Sequence, residues 1–225
     1  MNVGMHVGLL GLLRLVSPAL PVGAFAYSRG LEGAVAGGVV HDETSLGDWI
    51  AGVLEHVLCP LEGGMLVRMH AAWQADDLAR VRDWSLQLRA FRESRELLLE
   101  DEQLGSALAR MLRGVGICDA DRLQPEQPGY TCMFALAAVR WGIAPRDALA
   151  GLFWAFCEGQ VGAALRLLAI GQSAGQRILE RALPVIERCV PRALALGDDE
   201  LGSHAPGLAR CSAQHEVQYS RLFRS

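Results

Sequence analysis

The chain contains no lysine, and all 21 of its basic residues are arginine. Reactions that proceed through a lysine Schiff base, and phosphate-binding loops that need a lysine, are therefore excluded. The formal net charge is −4, so no global charge attracts the chain to nucleic acid or to an anionic membrane. Apolar residues make up 51% of the sequence, which is enough to form a packed core.

Sequence patterns for nucleotide binding and catalysis are also missing. There is no G-x-x-x-x-G-K-[ST] loop and no G-x-S-x-G turn. His215-Glu216 begins like the zinc motif H-E-x-x-H, but Tyr219 occupies the fifth position. His56 and Cys59 are spaced i, i+3, which is only a weak indication of a metal site. These absences argue against an enzyme, and we expect no metal or other cofactor to be bound tightly by this chain.

None of the six cysteines belongs to a C-x-x-C pair, and each has apolar neighbours. This pattern indicates small buried side chains in a reducing compartment. The N-terminus lacks the basic region of a signal peptide. The most apolar stretch, residues 148–170, contains Glu158, Gln160 and Arg166, which are unfavourable within a bilayer. We therefore expect a cytoplasmic protein without membrane contact, in which this stretch is a buried helix.

Strand patterns are nearly absent, whereas apolar residues recur with helical spacing along the whole chain. The apolar positions of residues 46–58 follow i, i+3, i+4, i+7, i+8 spacing, which is typical of an amphipathic helix. This helix is predicted to start at Asp42 or Thr44 and to end at Cys59-Pro60, where a second helix follows. The sequence predicts an all-α fold: one helical-bundle-like domain over residues 1–225, with about ten helices and no significant β-sheet.

Two later features bear on the helix boundaries. Residues 114–129 form the clearest predicted loop, rich in glycine, proline and acidic side chains. Ser173 is predicted to cap a helix over residues 176–196, and Pro184 and Pro191 are expected to kink or split that helix. The charged residues between positions 92 and 102 are interpreted as a solvated helix face.

The C-terminal segment, residues 215–225, is unusually apolar and aromatic for a chain end. Leu222 and Phe223 gain about 1.5–3 kcal/mol each on burial, whereas an unattached tail gains nothing. The segment must therefore pack on something, either its own core or a partner, and the sequence alone leaves both possibilities open. Arg221, Arg224 and Phe223 are side chains well suited to an interface.

Four segments together resemble the family of urease accessory proteins called UreF. They are S-P-A-L-P-V-G-A-F-A-Y-S-R-G-L-E at 17–32, R-E-S-R-E at 92–96, R-L-L-A-I-G-Q at 166–172, and H-E-V-Q-Y-S-R-L-F-R-S at 215–225. The resemblance spans nearly the whole chain, and its two ends are the most specific. Ala169-Ile170 departs from the family pattern, which more often has proline before the Gly-Gln step.

The resemblance implies an all-α, non-catalytic accessory protein for maturation of the urease nickel site. Proteins of this family dimerise, bind the accessory protein UreD (also called UreH), and recruit the GTPase UreG, and the complex acts on apo-urease. The tail is implied to order on binding UreD/UreH, so we expect residues 220–225 to be loose in the free protein. Control of the UreG GTPase is an alternative role, and a weak nickel carrier is an alternative of another class.

The resemblance also singles out partner-binding residues. Tyr27 is equally compatible with a core position, whereas Glu32 is expected to be an exposed interface carboxylate. Gln172 is equally compatible with a helix-capping role. Arg221 is the strongest candidate, because its guanidinium can bind a carboxylate through two hydrogen bonds. The full set of candidate partner-binding residues is Tyr27, Glu32, Gln172, Tyr219, Arg221, Leu222, Phe223 and Arg224.

Overall fold

The computed structural model describes residues 3–124, 126–203 and 205–225, with side chains from residue 7 onward. These residues form helices and connecting loops and contain no β-strand. The α-helices are α1 (Val3–Leu15), α2 (Leu31–Ala36), α3 (Glu43–Val53), α4 (Gly64–Gln74), α5 (Leu78–Ala90), α6 (Arg95–Gly114), α7 (Tyr130–Arg140), α8 (Pro145–Leu167), α9 (Gln172–Ala195) and α10 (Pro206–Glu216). Three short 3₁₀ helices lie at Ala24–Ala26, Asp119–Leu123 and Asp198–Glu200. The predicted all-α fold is confirmed.

The predicted helix end at Cys59-Pro60 is wrong. A π-helix, Leu54–Gly63, continues α3 directly into α4, so residues 43–74 form one uninterrupted helical rod. Proline lacks the N–H that an α-helix requires, and the wider winding of the π-helix accommodates that gap within the segment. The predicted start is confirmed, because the Asp42 carboxylate accepts a hydrogen bond of 2.8 Å from the Ser45 amide.

Helix α9 also differs from its predicted form. It begins at Gln172 with Gly171 as its cap residue, so Ser173 does not cap it. Both Pro184 and Pro191 lie within one continuous helix. The side of the helix that faces the core is buried near both prolines, for example at Val185 and Val190. This packing holds the helix together where two backbone hydrogen bonds are lost.

Helix α8 lies at the centre and packs against α9, α7, α4, α2 and α1. Pro145 opens it at a first-turn position, as the sequence predicts. Two helical stretches, Glu43–Gln74 and Pro145–Leu167, are long and apolar enough to cross a membrane. They are 72% and 61% buried within the fold, so packing in the protein core accounts for their apolar composition.

Helices α2 and α10 pack together closely and set the position of the C-terminus. Gly33 on α2 lies against the carbonyl group of Cys211 on α10, and a Cβ atom at Gly33 would collide with that carbonyl. The absence of a side chain lets the two helices approach at this point. Helix α10 also contacts α6, so the chain leaves α10 above a site formed by α2 and α6.

Candidate functional site

The C-terminal tail, residues 217–225, folds back from α10 onto the loop that precedes α2. The amide of Arg224 donates to the carbonyl of Ala26 at 2.9 Å, and the amide of Ser28 donates to the carbonyl of Ser225 at 3.0 Å. The Ser28 hydroxyl also donates to the Ser225 carbonyl. These backbone bonds fix the end of the tail in the single chain. The tail is therefore not loose there, which differs from the expectation drawn from the resemblance.

Phe223 anchors the tail. Its side chain is only 4% exposed and lines a groove of about 280 Å³ between the loop after α1 and helix α8. The Arg166 guanidinium lies 4.5 Å from the centre of the Phe223 ring, within the range of a cation–π interaction. The apolar residues that line the groove include Val16, Leu20, Val22, Leu104, Leu152 and Phe156. Burial in this groove explains why an ordered tail is stable.

Glu32 holds the tail backbone through its carboxylate. One oxygen accepts from the Leu222 amide at 2.7 Å and the other accepts from the Phe223 amide at 2.8 Å. Burial raises the pKa of Glu32. The hydrogen bonds from these two amides and the interaction with His215 together lower it by more, so the pKa lies below its usual value. The prediction of an exposed Glu32 is wrong, because the side chain is buried at 6% exposure beneath the tail.

His215 connects Glu32 to a second carboxylate, Glu96. The fully buried imidazole places Nε2 at 3.1 Å from Glu32 and Nδ1 at 2.6 Å from Glu96. Glu96 also pairs with Arg221 of the tail at 2.8 Å. The partner of Arg221 in the single chain is therefore an intramolecular carboxylate, and Glu32 and Glu96 together hold three consecutive tail residues.

Glu100 joins the end of the tail to a buried ionic cluster. The Ser225 hydroxyl donates to Glu100 at 2.5 Å, and Arg29 pairs with Glu100 at 3.3 Å and with Glu62 at 3.0 Å. Burial raises the pKa of Glu100 despite these partners. Burial also raises the pKa of Glu62, but the charges of Arg29 and Arg92 have the larger effect, so the pKa of Glu62 is lowered.

Arg92 extends the cluster to α6. It pairs with Glu62 at 2.6 Å and with Asp101 at 2.9 Å, and all three side chains are buried. Asp101 also accepts a hydrogen bond of 3.1 Å from the Tyr130 amide at the start of α7. The cluster therefore ties the π-helix, α6 and α7 together beneath the tail.

Ser94 and Glu216 join α6 to α10. The Ser94 hydroxyl caps α6 by accepting from the Leu97 amide at 3.1 Å and lies 2.7 Å from the Ser212 hydroxyl. The Glu216 carboxylate accepts from the Arg95 amide at 2.9 Å at the same helix start. Three of the four segments that carry the family resemblance, at 17–32, 92–96 and 215–225, thus meet at one site, and the fourth, at 166–172, reaches it through Arg166.

The remaining candidate residues fall in two places. Tyr27 is half-buried, and its hydroxyl donates to Gln103 at 2.9 Å. Tyr219 is fully exposed, Leu222 is 51% exposed, and Arg224 is also exposed. Gln172 is exposed at the start of α9 and takes part neither in the tail contacts nor in the buried ionic cluster. The positions of these residues in the single chain do not show whether they bind a partner.

Sequence reasoning missed Arg29, Arg92, Glu96, Glu100 and His215. The charge run of α6 was interpreted as solvated, yet Glu96, Glu100 and Asp101 are buried. The available signal was the i, i+4 spacing of Glu96 and Glu100 alongside the apolar stripe, which places both on one helix face. The imidazole of His215 lies between the carboxylates of Glu32 and Glu96. Within the described residues no group of His, Cys, Asp and Glu is arranged to hold a metal ion.

Comparison with known proteins gives a consistent result. The UreF family model matches residues 40–183. A urease accessory protein UreF from Chromohalobacter salexigens is 49% identical, with 97% of this chain and 95% of the relative covered. A UreF from Alkalilimnicola ehrlichii is 47% identical over 95% of this chain and 94% of its own length. A protein named urease accessory protein UreF 2 from Brucella anthropi is 49% identical, with 96% coverage of both chains.

Proposed function

The chain belongs to the UreF family of urease accessory proteins, and on this basis we propose that it is a non-catalytic subunit of a nickel-insertion complex. In this proposal it forms a homodimer in the cytoplasm, binds UreD/UreH, and recruits the GTPase UreG to apo-urease. A role in urease maturation follows from the family. The partners and the order of assembly are our inference.

The observation that carries the proposal is an exposed apolar edge on an otherwise anchored tail. Phe223 and Ser225 are buried, whereas Val217 is 84% exposed, Tyr219 is fully exposed and Leu222 is 51% exposed. Holding the backbone in place before association lowers the entropy that a partner must offset. An aromatic and two aliphatic side chains on a fixed path suit the docking of a protein such as UreD/UreH.

A second apolar surface lies on α1. Val7, Leu9, Leu10 and Leu13 are each more than half exposed, and they lie on a helix whose other side contacts α7 and α8. Adjacent exposed apolar side chains of this kind mark association surfaces in soluble proteins. This surface supports assembly with more than one protein or with a second copy, as the proposal requires.

The test uses two exposed tail residues whose substitution leaves the anchor intact. Tyr219→Ala combined with Leu222→Ala retains Phe223 and all backbone hydrogen bonds of the tail. We expect affinity for UreD/UreH to fall at least about tenfold, together with urease activation in cells. Leu86→Ala, at a position 53% exposed on α5, is the matched control and should bind normally. Undiminished co-purification of the double variant would refute tail docking.

The same preparations separate scaffolding from GTPase control. If the chain only assembles the complex, the rate of GTP hydrolysis per UreG is unchanged when the chain joins. A changed rate in the assembled complex would favour the regulatory role instead. Stoichiometric nickel on the isolated chain in equilibrium dialysis would contradict our assignment of nickel handling to the complex as a whole.

A further inference from the structure

Two buried cysteines on different helices lie next to each other outside the tail site. The Cys59 thiol, on the π-helix, donates to the carbonyl of Cys189, on α9, at 3.4 Å. Their exposures are 0% and 2%, although they are 130 positions apart in the sequence. The Cys59 sulphur atom is therefore in contact with the Cys189 residue. This arrangement brings together two sulphur atoms from adjacent helices.

The two thiols differ in acidity. The neighbouring Cys189 side chain lowers the pKa of the Cys59 thiol, against the effect of burial and with support from Arg192. The neighbouring Cys59 side chain and burial both raise the pKa of Cys189. By contrast, burial raises the pKa of Cys132 and of Cys157 to about 12. Because the thiolate is the reactive form of cysteine, Cys59 is favoured as a nucleophile over these buried thiols.

A cavity lies beside the pair, and Cys59 belongs to an irregular helical segment. A cavity of about 360 Å³ is lined by Pro60, next to Cys59, and by Arg192, one helical turn after Cys189. This cavity admits a small oxidant to the neighbourhood of the pair. Short π-helical segments are often found at functional sites, and Cys59 lies within the π-helix directly before Pro60.

We propose that Cys59 and Cys189 form a reversible disulfide when the protein meets a peroxide. The Cys59 thiol loses its proton, and the thiolate attacks one oxygen of hydrogen peroxide. The O–O bond breaks, Cys59 becomes a sulfenic acid, and the released hydroxide takes up that proton to form water. The Cys189 thiol then attacks the Cys59 sulphur, the S–O bond breaks, and water leaves. Two thiols are thereby oxidised by two electrons, and one peroxide is reduced to two waters.

The disulfide would reach the ionic cluster through the π-helix. Glu62 lies on the same segment as Cys59 and pairs with Arg29 and Arg92. Joining this segment covalently to α9 restrains the helix that holds Glu62 in place. Oxidation is therefore expected to raise the melting temperature of the protein and to slow hydrogen exchange in residues 54–63.

The test is peptide mapping of the full chain treated with hydrogen peroxide. After free thiols are alkylated, trypsin releases Cys59 in residues 30–68 and Cys189 in residues 189–192, each as the only cysteine of its peptide. We expect these two peptides to be the main cross-linked pair, with a mass loss of two hydrogen atoms that dithiothreitol reverses. The proposal is overturned if exposed Cys118 is oxidised while this pair stays reduced.

Two variants distinguish the pair from general thiol oxidation. Cys189→Ser should leave Cys59 as a sulfenic acid that dimedone traps, because no resolving thiol remains. Cys157→Ser removes a buried cysteine outside the pair and should leave the cross-link yield unchanged. The wild-type mapping needs no variant, so it decides the question even if a substitution impairs folding. Equal linkage of Cys59 to several cysteines would also contradict the proposal.

Discussion

The Nε2 atom of His215 lies 3.1 Å from a carboxylate oxygen of Glu32, although the residues are 183 positions apart in the sequence. The other ring nitrogen lies 2.6 Å from Glu96. Both ring nitrogens therefore lie within hydrogen-bonding distance of a carboxylate. His215 thus links the two carboxylates that bind the tail.

Replacing His215 by phenylalanine should destabilise the protein strongly. The substitution removes the ring nitrogens that lie against Glu32 and Glu96. Each buried carboxylate then lacks a hydrogen-bond partner, which costs about 1–3 kcal/mol per group and more when the group is charged. Urea unfolding followed by circular dichroism measures this loss. His41→Phe is the matched control, since its side chain is 68% exposed, and it should change stability by no more than about 0.5 kcal/mol. Equal stability of the two variants would contradict the role of His215.

Tail docking should weaken in acid. The folded-state pKa of Glu32 is depressed, so its contribution is fully present above the ordinary glutamate pKa of about 4.3 and is lost as pH falls through the lower folded value. The protection factors of the Leu222 and Phe223 amides should therefore fall in that acidic range before those of α8. Glu32→Met, which has a side chain of similar length but no oxygen acceptor, should reduce the protection of both amides at neutral pH as well. Protection that persists in the variant would exclude Glu32 as the main acceptor.

Removing the Phe223 ring should release the tail without unfolding the helical core. Truncation of a buried phenylalanine costs about 3–5 kcal/mol, but a terminal segment detaches locally and so limits the cost to its own docking energy. Phe223→Ala should expose the amides of residues 222–225 to rapid exchange, with little change in core protection. Phe25→Ala, at a position 79% exposed, is the control. A large loss of core protection would show that the tail is integral to the fold.

The contact between α2 and α10 should not tolerate a side chain at Gly33. Gly33→Ala places a methyl group against the Cys211 carbonyl, so the helices must separate and the His215 contacts must lengthen. We expect a lower melting temperature and a less protected tail. Gly52→Ala on α3 is the matched control, because no atom lies within 4 Å of the added methyl. That variant should be stabilised by about 0.5–1 kcal/mol, and the opposite order of stabilities would contradict this packing.

The extent of sequence-based prediction differs between the helices. Asp42 was predicted as a helix start because a cap is a local interaction with Ser45. The continuation through Pro60 and the unbroken α9 were not predicted, because packing on distant helices outweighs the local preference of proline to end a helix. Local signals therefore located the helices better than their ends.

The candidate site shows the same division. The motif segments were recognised, but Glu32 was expected to be exposed and Glu96 and Glu100 were expected to be solvated. A charged residue is buried only when partners compensate it, and those partners, Arg29, Arg92 and His215, come from segments far apart in the chain. Their contacts cannot be deduced from the spacing within any one segment.

The sequence by itself determined the helical fold and the family, and it showed that the chain end must pack on something. These properties follow from apolar periodicity, local motifs and side-chain chemistry, which are recorded along the chain. Only the tertiary structure decided where the tail packs, because the groove for Phe223 and the carboxylates of Glu32 and Glu96 are assembled from α2, α6 and α8. Their burial and their distances depend on how the helices pack.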